Sequence, residues 1–599
     1  MAPTIPANPT PENLSDPSPK SLGGDGQHEN STADPAFAWV DRYGAWFLAV
    51  FVFFIFFYNL GGYWLFDVDE PRYAQAAREM IQRGNLITPY FNDVIRLEKP
   101  VFFYWLLIAS YKLFGVSEFS ARLVSAVMAS GLTAMTYAVA RIIASKRFAF
   151  FSAVILLTSM EVIGLSRMSI TDMTLATLMG GTSLSLFLAC EKNPRWWLAA
   201  GLFSGMAILT KGPVGMVLPG GVFLLYTLIT RQFKRGFLSL YFPLGTLLAL
   251  VIAAPWYYLA YLENGQFFVD SLLANNISRF SGAIDYHSEP VYYYAIVLLA
   301  GFLPWSPFLV SGVRQSIVEW QHNRPWNNSL SAFQRLHWYA AIWAISIFTF
   351  FTIADTKLLT YILPMFSALA LWLAAAFYNG TPDHNKQTGL HAGLKISAWV
   401  LFGLLSIVSV VFITQMGRLL PKEAAHISAN PANWIASLVL LLGVLGFSLL
   451  LQKNRTASAF ILMGATFSLL AVIALTGIVP RVNQLTQGQL MTYINIVGDN
   501  PLGTYEITKP SLTFYANRHI PQIQHDDNAP ENERDKLKAF LQQGCSLNIK
   551  KRKQSPCQPV YLITKHRFIA PLKKNLPDGT LLRFVSRDDI FSLLSLQQK

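Results

Sequence analysis

Charge is scarce in this chain. Asp, Glu, Lys and Arg make up only 14% of its 599 residues, against about 25% in a soluble domain. With 53% hydrophobic residues and a mean hydropathy of +0.36, that shortfall excludes an ordinary soluble protein. Cysteine is rarer still: three residues leave room for a single disulfide. Residues 1–43 have few large apolar side chains and are rich in Pro, Ser, Asn, Asp and Gly, so they are expected to be disordered. No cleavable signal peptide is visible, because the first apolar run starts too late and is too long. The net charge is +13, yet no soluble portion interleaves basic and aromatic residues. A nucleic-acid partner is therefore not expected, and the excess is assigned to cytoplasmic loops and to anionic lipid or phosphate contacts.

What the chain has in abundance is apolar runs of about 20 residues, the length that crosses a bilayer core as a helix. Thirteen spans are expected, at 44–66, 119–142, 148–166, 173–190, 196–210, 212–230, 236–260, 291–313, 337–353, 358–378, 394–416, 433–451 and 457–479. The run 101–114 is apolar but short, which favours an interfacial or re-entrant helix. The fold class is thus a polytopic α-helical membrane protein, with a membrane domain over 44–480 that includes a long first loop, 67–118. Beyond it, "LGTYEI", "PVYLITK" and "LLRFVS" alternate with polar helical stretches such as "NERDKLKAFLQQ". Residues 481–599 therefore read as a small α/β domain. Cys545 and Cys557 lie inside it, open to pairing on an oxidising face or to remaining as two buried thiols.

Lys and Arg cluster in the loops after every second expected helix: Arg141, Lys146 and Arg147; Lys192 and Arg195; Arg231, Lys234 and Arg235; Arg314, Arg324 and Arg335; Lys386; Lys453 and Arg455. The positive-inside rule makes that face cytoplasmic, together with the N-terminus. The first loop, the 260–290 loop and the C-terminal domain then lie on the extracytoplasmic face.

The polar residues that interrupt apolar runs collect on that outer face. Asp69 and Glu70 ("FDVDEPRY"), Glu98 and Lys99 ("RLEKP"), Asp172 ("SITDMT"), Lys211 ("LTKGP"), Asn276 and Arg279 ("NNISRF"), His287 ("YHSEP"), and Lys357 with Tyr361 ("TKLLTYILP") all fall there. Each has an ordinary reading. Asp69 and Asp172 suit helix N-termini, Glu70 a helix first turn or a positioning group, Glu98-Lys99-Pro100 a solvated turn, and Lys211 can snorkel to headgroups. Their joint placement points further, because carboxylates and fixed cations gathered at one membrane face suit an anionic, membrane-borne substrate. A transferase with a lipid-phosphate donor needs a base for the acceptor proton, which Asp69 offers. It also needs cations for the departing phosphate, which Lys99, Lys211, Lys357 or Arg279 offer. A divalent metal (Mg, Mn or Zn) on Glu98 would supplement them.

The ordered set "DVDEPRYAQAAREM", "LEKPVFFYW", "SITDMTLA", "LTKGP", "NNISRFSG", "YHSEPVYYY" and "TKLLTYILP" resembles the bacterial aminoarabinose transferases of lipid A, within the protein O-mannosyltransferase-like superfamily of the C-type glycosyltransferase fold. The resemblance runs from about residue 45 to 480. It implies an inverting glycosyltransferase of the bacterial inner membrane with a polyprenyl-phosphate sugar donor, thirteen helices and a periplasmic C-terminal domain. The acceptor would be lipid A, another glycolipid or a protein. It also implies residue roles. Asp69 and Asp172 match two essential acids, with Glu70 beside the first. Glu98 matches a metal-coordinating Glu and Lys99 a phosphate-contacting Lys, while Lys211, Arg279, Lys357 and Tyr361 match donor-cavity positions. One departure stands out: Asn276 sits where those transferases usually carry a metal-binding His, so a harder ion such as Mg²⁺, substitution by His287, or no metal all remain open. The competing function is a lipid or sugar transporter or flippase. It calls for ionisable groups near mid-membrane and broken helices in paired repeats, whereas the charges here lie at helix ends on one side.

Overall fold

The computed structural model describes residues 34–274, 289–327, 329–380, 388–419, 430–524, 530–550, 558–588 and 590–598. The chain enters on α1 (Ala36–Val52), which continues as a π-helical turn to Phe57. The first loop then folds as α2 (Asp69–Arg83), a short hairpin of β1 (Tyr90–Phe91) and β2 (Val94–Ile95), and α3 (Phe102–Phe114). Gly84 (φ +67°) and Gly115 (φ +75°) end the two helices in backbone conformations that side chains other than glycine's resist. At 13 residues, α3 is about 20 Å long, short of the bilayer core as expected.

The membrane helices follow. They are α4 (Glu118–Ile143), α5 (Lys146–Leu157), α6 (Met160–Ser166), α7 (Thr171–Glu191), α8 (Trp196–Lys211), α9 (Val214–Ile229), the one-turn α10 (Phe233–Phe237) and α11 (Tyr241–Leu273, interrupted at Gly265). After the 275–288 segment come α12 (Tyr293–Gly301), α13 (Leu309–His322), α14 (Ala332–Ile353), α15 (Phe366–Asn379), α16 (Thr388–Leu419), α17 (Pro431–Gln452), α18 (Thr456–Ile473) and α19 (Val479–Val497). Local chemistry marks several starts. Ser117 with Ser120 and Ser331 with Gln334 form capping boxes, and Asn430 caps α17 with Pro431 in its first turn.

Every expected span is helical, but they do not all qualify by length and apolarity. Among the described residues nine helices do, or eleven if the bent pairs α5–α6 (67°) and α12 with Ser306–His322 (110°) each count once. The other two expected spans are α8 and α9, of 16 residues each. They reach only about 24 Å, because Gly212 (φ +83°) and Pro213 break the chain between them. Helix also runs past the expected membrane-domain boundary at 480, from Thr456 to Val497. The α/β domain therefore starts at β3 (Leu502–Tyr505).

That domain adds α20 (Pro510–Ala516), β4 (Gln522–Ile523), α21 (Pro530–Lys550), β5 (Val560–Lys565), α22 (Ile569–Asn575), β6 (Thr580–Arg587) and β7 (Phe591–Gln598). The sheet order is β4-β3-β5-β7-β6: β3 is parallel to β4 and β5, and β7 antiparallel to β5 and β6. Cys557 and the side chain of Cys545 lie outside the described residues.

The domain is clamped to the first loop. Asp67 accepts from Ser511 N (2.9 Å) and Ser511 Oγ (2.6 Å), with Lys509 Nζ 3.5 Å away. Arg78 donates to the Phe514 carbonyl (2.7 Å) and lies over its ring. Tyr515 Oη receives Leu65 N (2.7 Å) and donates to Glu118 (3.0 Å). The opposite end of the bundle holds the basic clusters, where Arg147 pairs with Asp41 (3.0 Å) and Arg335 with buried Glu191 (2.8 Å). Removing the Asp67 carboxylate strands the donors of Ser511 at a cost of about 1–3 kcal/mol. Asp67→Ala should therefore loosen the domain, read as faster limited proteolysis near residues 498–510 with the membrane helices intact.

Candidate active site

The end of the first span sets a hydrogen-bonding problem. The chain turns from helix into irregular backbone at the membrane boundary, and carbonyls left there need donors. Two arginines supply them. Arg167 donates to the carbonyls of Ile55, Phe56 and Tyr58, and Arg122 to those of Leu60, Tyr63 and Trp64. Arg122 also forms a fully buried bidentate pair with Glu70 (2.8 and 2.9 Å). Glu70 Oε1 receives Ser169 N (2.9 Å) and Oε2 receives Phe66 N (2.9 Å). Four donors saturate this carboxylate. Glu70 thus ties the start of α2 to the turn before α7, with both oxygens engaged, which fits the positioning group its place in the sequence offered rather than a group in contact with substrate.

Asp69 contrasts with its neighbour. It opens α2 but does not cap it; Val68 holds the N-cap position and no side chain caps the turn. Its carboxylate is exposed and makes no hydrogen bond or ion pair among the described residues. Glu70 thus anchors α2 while Asp69 faces outward from the same first turn.

Asp172 is the second residue of α7, and Lys211 the last of α8. Lys211 Nζ lies 2.6 Å from Asp172 Oδ1, and Thr360 Oγ1 donates to the same oxygen at 2.9 Å. The helix dipoles favour both charges, an anion at an N-terminus and a cation at a C-terminus. Lys211 also sits over the Tyr361 ring, 4.7 Å from its centroid. These groups line a cavity of about 410 Å³ together with Glu98, Lys99 and Thr356. The remaining lining is apolar, from Leu175, Met179, Val214, Val217, Leu218, Phe350 and Phe351 among others. A polar head opening into an apolar slot, within the size range of ligand sites, suits an amphipathic anion.

The nominated residues are thus divided. Lys99, Lys211, Asp172, Glu98 and Tyr361 converge on one cavity. Buried Lys357 belongs to the same segment but donates to the Ala354 carbonyl (2.8 Å). Asn276, Arg279 and His287 lie outside the described residues. Glu98 is half-exposed and pairs with Arg96 (3.0 Å). Among the described residues no three His, Cys, Asp or Glu side chains converge to hold a metal.

Four further residues belong to this neighbourhood and were not singled out from sequence. Thr360 sits in an apolar run where hydroxyls are commonplace. Arg96 is buried over the Tyr73 ring (5.0 Å). Burial pushes the Tyr73 phenol far up; Arg96 opposes this, while Tyr104 and the carboxylates Asp69 and Asp172 add to it. One buried phenol thus feels both nominated acids. Glu161 is buried on α6 with neither carboxylate oxygen hydrogen-bonded among the described residues and Gly301 packed against it. An acid inside the apolar run "TSMEVIGL" was a legible signal.

Comparison with known proteins bears on its chemistry. Residues 98–259 match the dolichyl-phosphate-mannose-protein mannosyltransferase family. The undecaprenyl phosphate-α-4-amino-4-deoxy-L-arabinose arabinosyl transferase of Aeromonas hydrophila is 30% identical over 421 residues, 68% of this chain and 73% of that one. This chain belongs to that transferase family. The Shewanella sediminis member is 32% identical over 390 residues, 63% of this chain and 67% of that one. The crystal structure of ArnT from Cupriavidus metallidurans bound to undecaprenyl phosphate superposes with a TM-score of 0.71 at 25% identity, covering 94% of this chain and 98% of that one. As a family member the chain is a glycosyltransferase of the inner membrane with the C-type fold, as its motifs implied.

Breaking a buried pair by removing one partner costs about 3–5 kcal/mol, whereas an exposed side chain is worth within about 0.5 kcal/mol. Glu70→Ala should therefore sharply lower the thermal unfolding midpoint in detergent. Asp69→Asn, one residue away, should leave it unchanged.

Proposed function

We propose that this chain transfers a sugar from an undecaprenyl-phosphate-type donor to an envelope acceptor, with inversion at the anomeric carbon, on the extracytoplasmic membrane face. The observation that carries this reading is the cavity that pairs a cationic head, Lys99 and Lys211, with an apolar slot along α9 and α14. A polyprenyl phosphate presents that combination of charge and tail. The names of the relatives extend the reading to an aminoarabinose donor and to lipid A or another glycolipid as acceptor.

In the proposed reaction an oxygen of the acceptor attacks the anomeric carbon. The bond from that carbon to the phosphate oxygen breaks, and its electron pair leaves on the phosphate. Asp69, exposed and unengaged, takes the acceptor proton as the new bond forms. Lys99 and Lys211 neutralise charge on the leaving phosphate, while Asp172 and Thr360 hold Lys211 in place. Tyr361 gives Lys211 a ring face to rest on, so the ammonium keeps its position when the phosphate departs. Lys357 supports the 354–361 segment from behind. Glu98 is the one nominated metal ligand within the described residues; it pairs with Arg96 (3.0 Å), and no step is assigned to a metal ion. The side assignment rests on the basic clusters, which support a cytoplasmic N-terminus and a periplasmic C-terminal domain.

A positioned base contributes about 10²–10⁴-fold. Asp69→Asn should therefore lower transfer from a labelled polyprenyl-phosphate sugar by at least about 100-fold, with the folded fraction unchanged. Lys211→Ala should instead act first on the donor KM, since it removes a charge that the bound phosphate meets in the ground state too. Transfer by a folded Asp69→Asn variant at the normal rate would remove the role assigned to Asp69.

A further inference from the structure

Arg96 takes no part in the reaction set out above, yet it holds one of the groups that line the cavity. It follows the β1–β2 hairpin, where its backbone N donates to the Pro89 carbonyl (2.8 Å). Its side chain is 6% exposed, and a guanidinium cannot shed its proton to suit a buried place. It has to be met by a carboxylate or a ring face. Both are present: Nη2 lies 3.0 Å from Glu98 Oε2, and the guanidinium sits over the Tyr73 ring (5.0 Å). Tyr73 is itself wedged against Phe103 (5.5 Å) and Tyr104 (5.7 Å), so the cation rests on a rigid aromatic floor. Glu98 differs: its side chain is 48% exposed and lines the cavity, whereas Arg96 does not line it. The arginine is therefore the fixed member of the pair, and it holds the carboxylate at the cavity head. Arg122 shows what a bracing arginine does, donating to three backbone carbonyls. The Arg96 side chain donates to no backbone carbonyl among the described residues, and its Nε has no hydrogen-bond partner there. What it brings to Glu98 is charge.

We propose that Arg96 is a positioning residue that supplies, from within the chain, the positive charge on Glu98 at the cavity head, so that sugar transfer proceeds without a divalent cation there. The inference rests on the donor reading above. Charge balance carries it. Among the described residues the charged side chains lining the cavity are Lys99 and Lys211 against Glu98 and Asp172, and they cancel. A phosphodiester donor brings a negative charge to that head, and the phosphomonoester that departs carries about two. A neutral head offers the second charge nothing, whereas Arg96 behind Glu98 tips the head positive before the donor arrives. The usual alternative is Mg²⁺, held by one or two carboxylates together with substrate phosphates. With Nη2 on Oε2, a cation of the chain already occupies part of what Glu98 would offer such an ion.

The experiment measures transfer from undecaprenyl phosphate-α-4-amino-4-deoxy-L-arabinose to lipid A by the full-length protein in phosphatidylcholine nanodiscs, dialysed against EDTA and assayed with and without Mg²⁺. The unaltered protein should transfer equally well in both. Arg96→Met keeps the length and apolar packing of the side chain but removes its charge. Without Mg²⁺ it should be slower by at least about tenfold, since one charge at short range is worth that much even at the effective dielectric of a protein surface. The loss should fall on kcat more than on the donor KM, because the phosphate gains charge as the bond breaks. Mg²⁺ should restore most of it, and Arg96→Lys should avoid it; either rescue supports the proposal, since both return a cation to Glu98. A folded Arg96→Met variant at the normal rate without Mg²⁺ overturns it. So does a loss that Mg²⁺ leaves unrepaired and Arg96→Lys shares, which marks a residue needed only for packing of the hairpin. Loss of transfer by the unaltered protein on EDTA dialysis, regained with added Mg²⁺, Mn²⁺ or Zn²⁺, overturns it as well and leaves the donor reading standing. If the unaltered protein neither binds undecaprenyl phosphate nor transfers sugar under any of these conditions, the donor reading falls and this inference with it.

Discussion

The fully buried pair of Glu70 and Arg122 is the interaction on which the first loop and the site beside it depend. Ionised groups in a membrane protein's interior are tolerated only when every donor and acceptor is matched. Here the matching is complete for the carboxylate, which takes two bonds from Arg122 and one each from Phe66 N and Ser169 N. Arg122 in turn donates to three carbonyls of the 60–64 turn. One pair thereby joins the end of the first span, the start of α2 and the turn before α7. Asp69 and Asp172, each within three residues of a tied group, inherit a fixed separation from it.

The second organising feature is the use of helix ends. Asp172 and Lys211 face each other from the N-terminus of one helix and the C-terminus of the next, so the backbone dipoles stabilise both charges before substrate arrives. The shortness of α8 and α9 follows from the same break at Gly212-Pro213 that ends α8 on Lys211. A full-length span there would carry the ammonium away from the cavity head. The C-terminal domain adds a lid of contacts on the first loop. The Asp67–Ser511 and Arg78–Phe514 links hold α2 from the side opposite the membrane.

Much of this was legible in the chain. Period and length of the apolar runs mark every membrane helix, because a helix in lipid must satisfy its own backbone and so announces itself as a continuous stretch. The motif series located Lys99, Lys211 and Asp172, which converge on one cavity. For Glu70 a catalytic and a positioning reading both stood, because a catalytic acid and a structural one look the same in sequence; the partner that engages it, Arg122, lies fifty-two residues away. Thr360 and Tyr73 gave no signal, since a hydroxyl in an apolar run and a phenol in an amphipathic helix are both ordinary until a partner from another element meets them.

The amino-acid sequence by itself therefore determined the class of molecule, the positions of its helices and the side on which its charges gather. These follow from local hydropathy and from charge placement relative to the bilayer. Only the tertiary structure decided which carboxylate is spent on holding the fold and which is left open. It alone joined Lys211 to Asp172 and Glu70 to Arg122. Those are distances between helices remote in sequence, and they are settled by how side chains pack across the bundle.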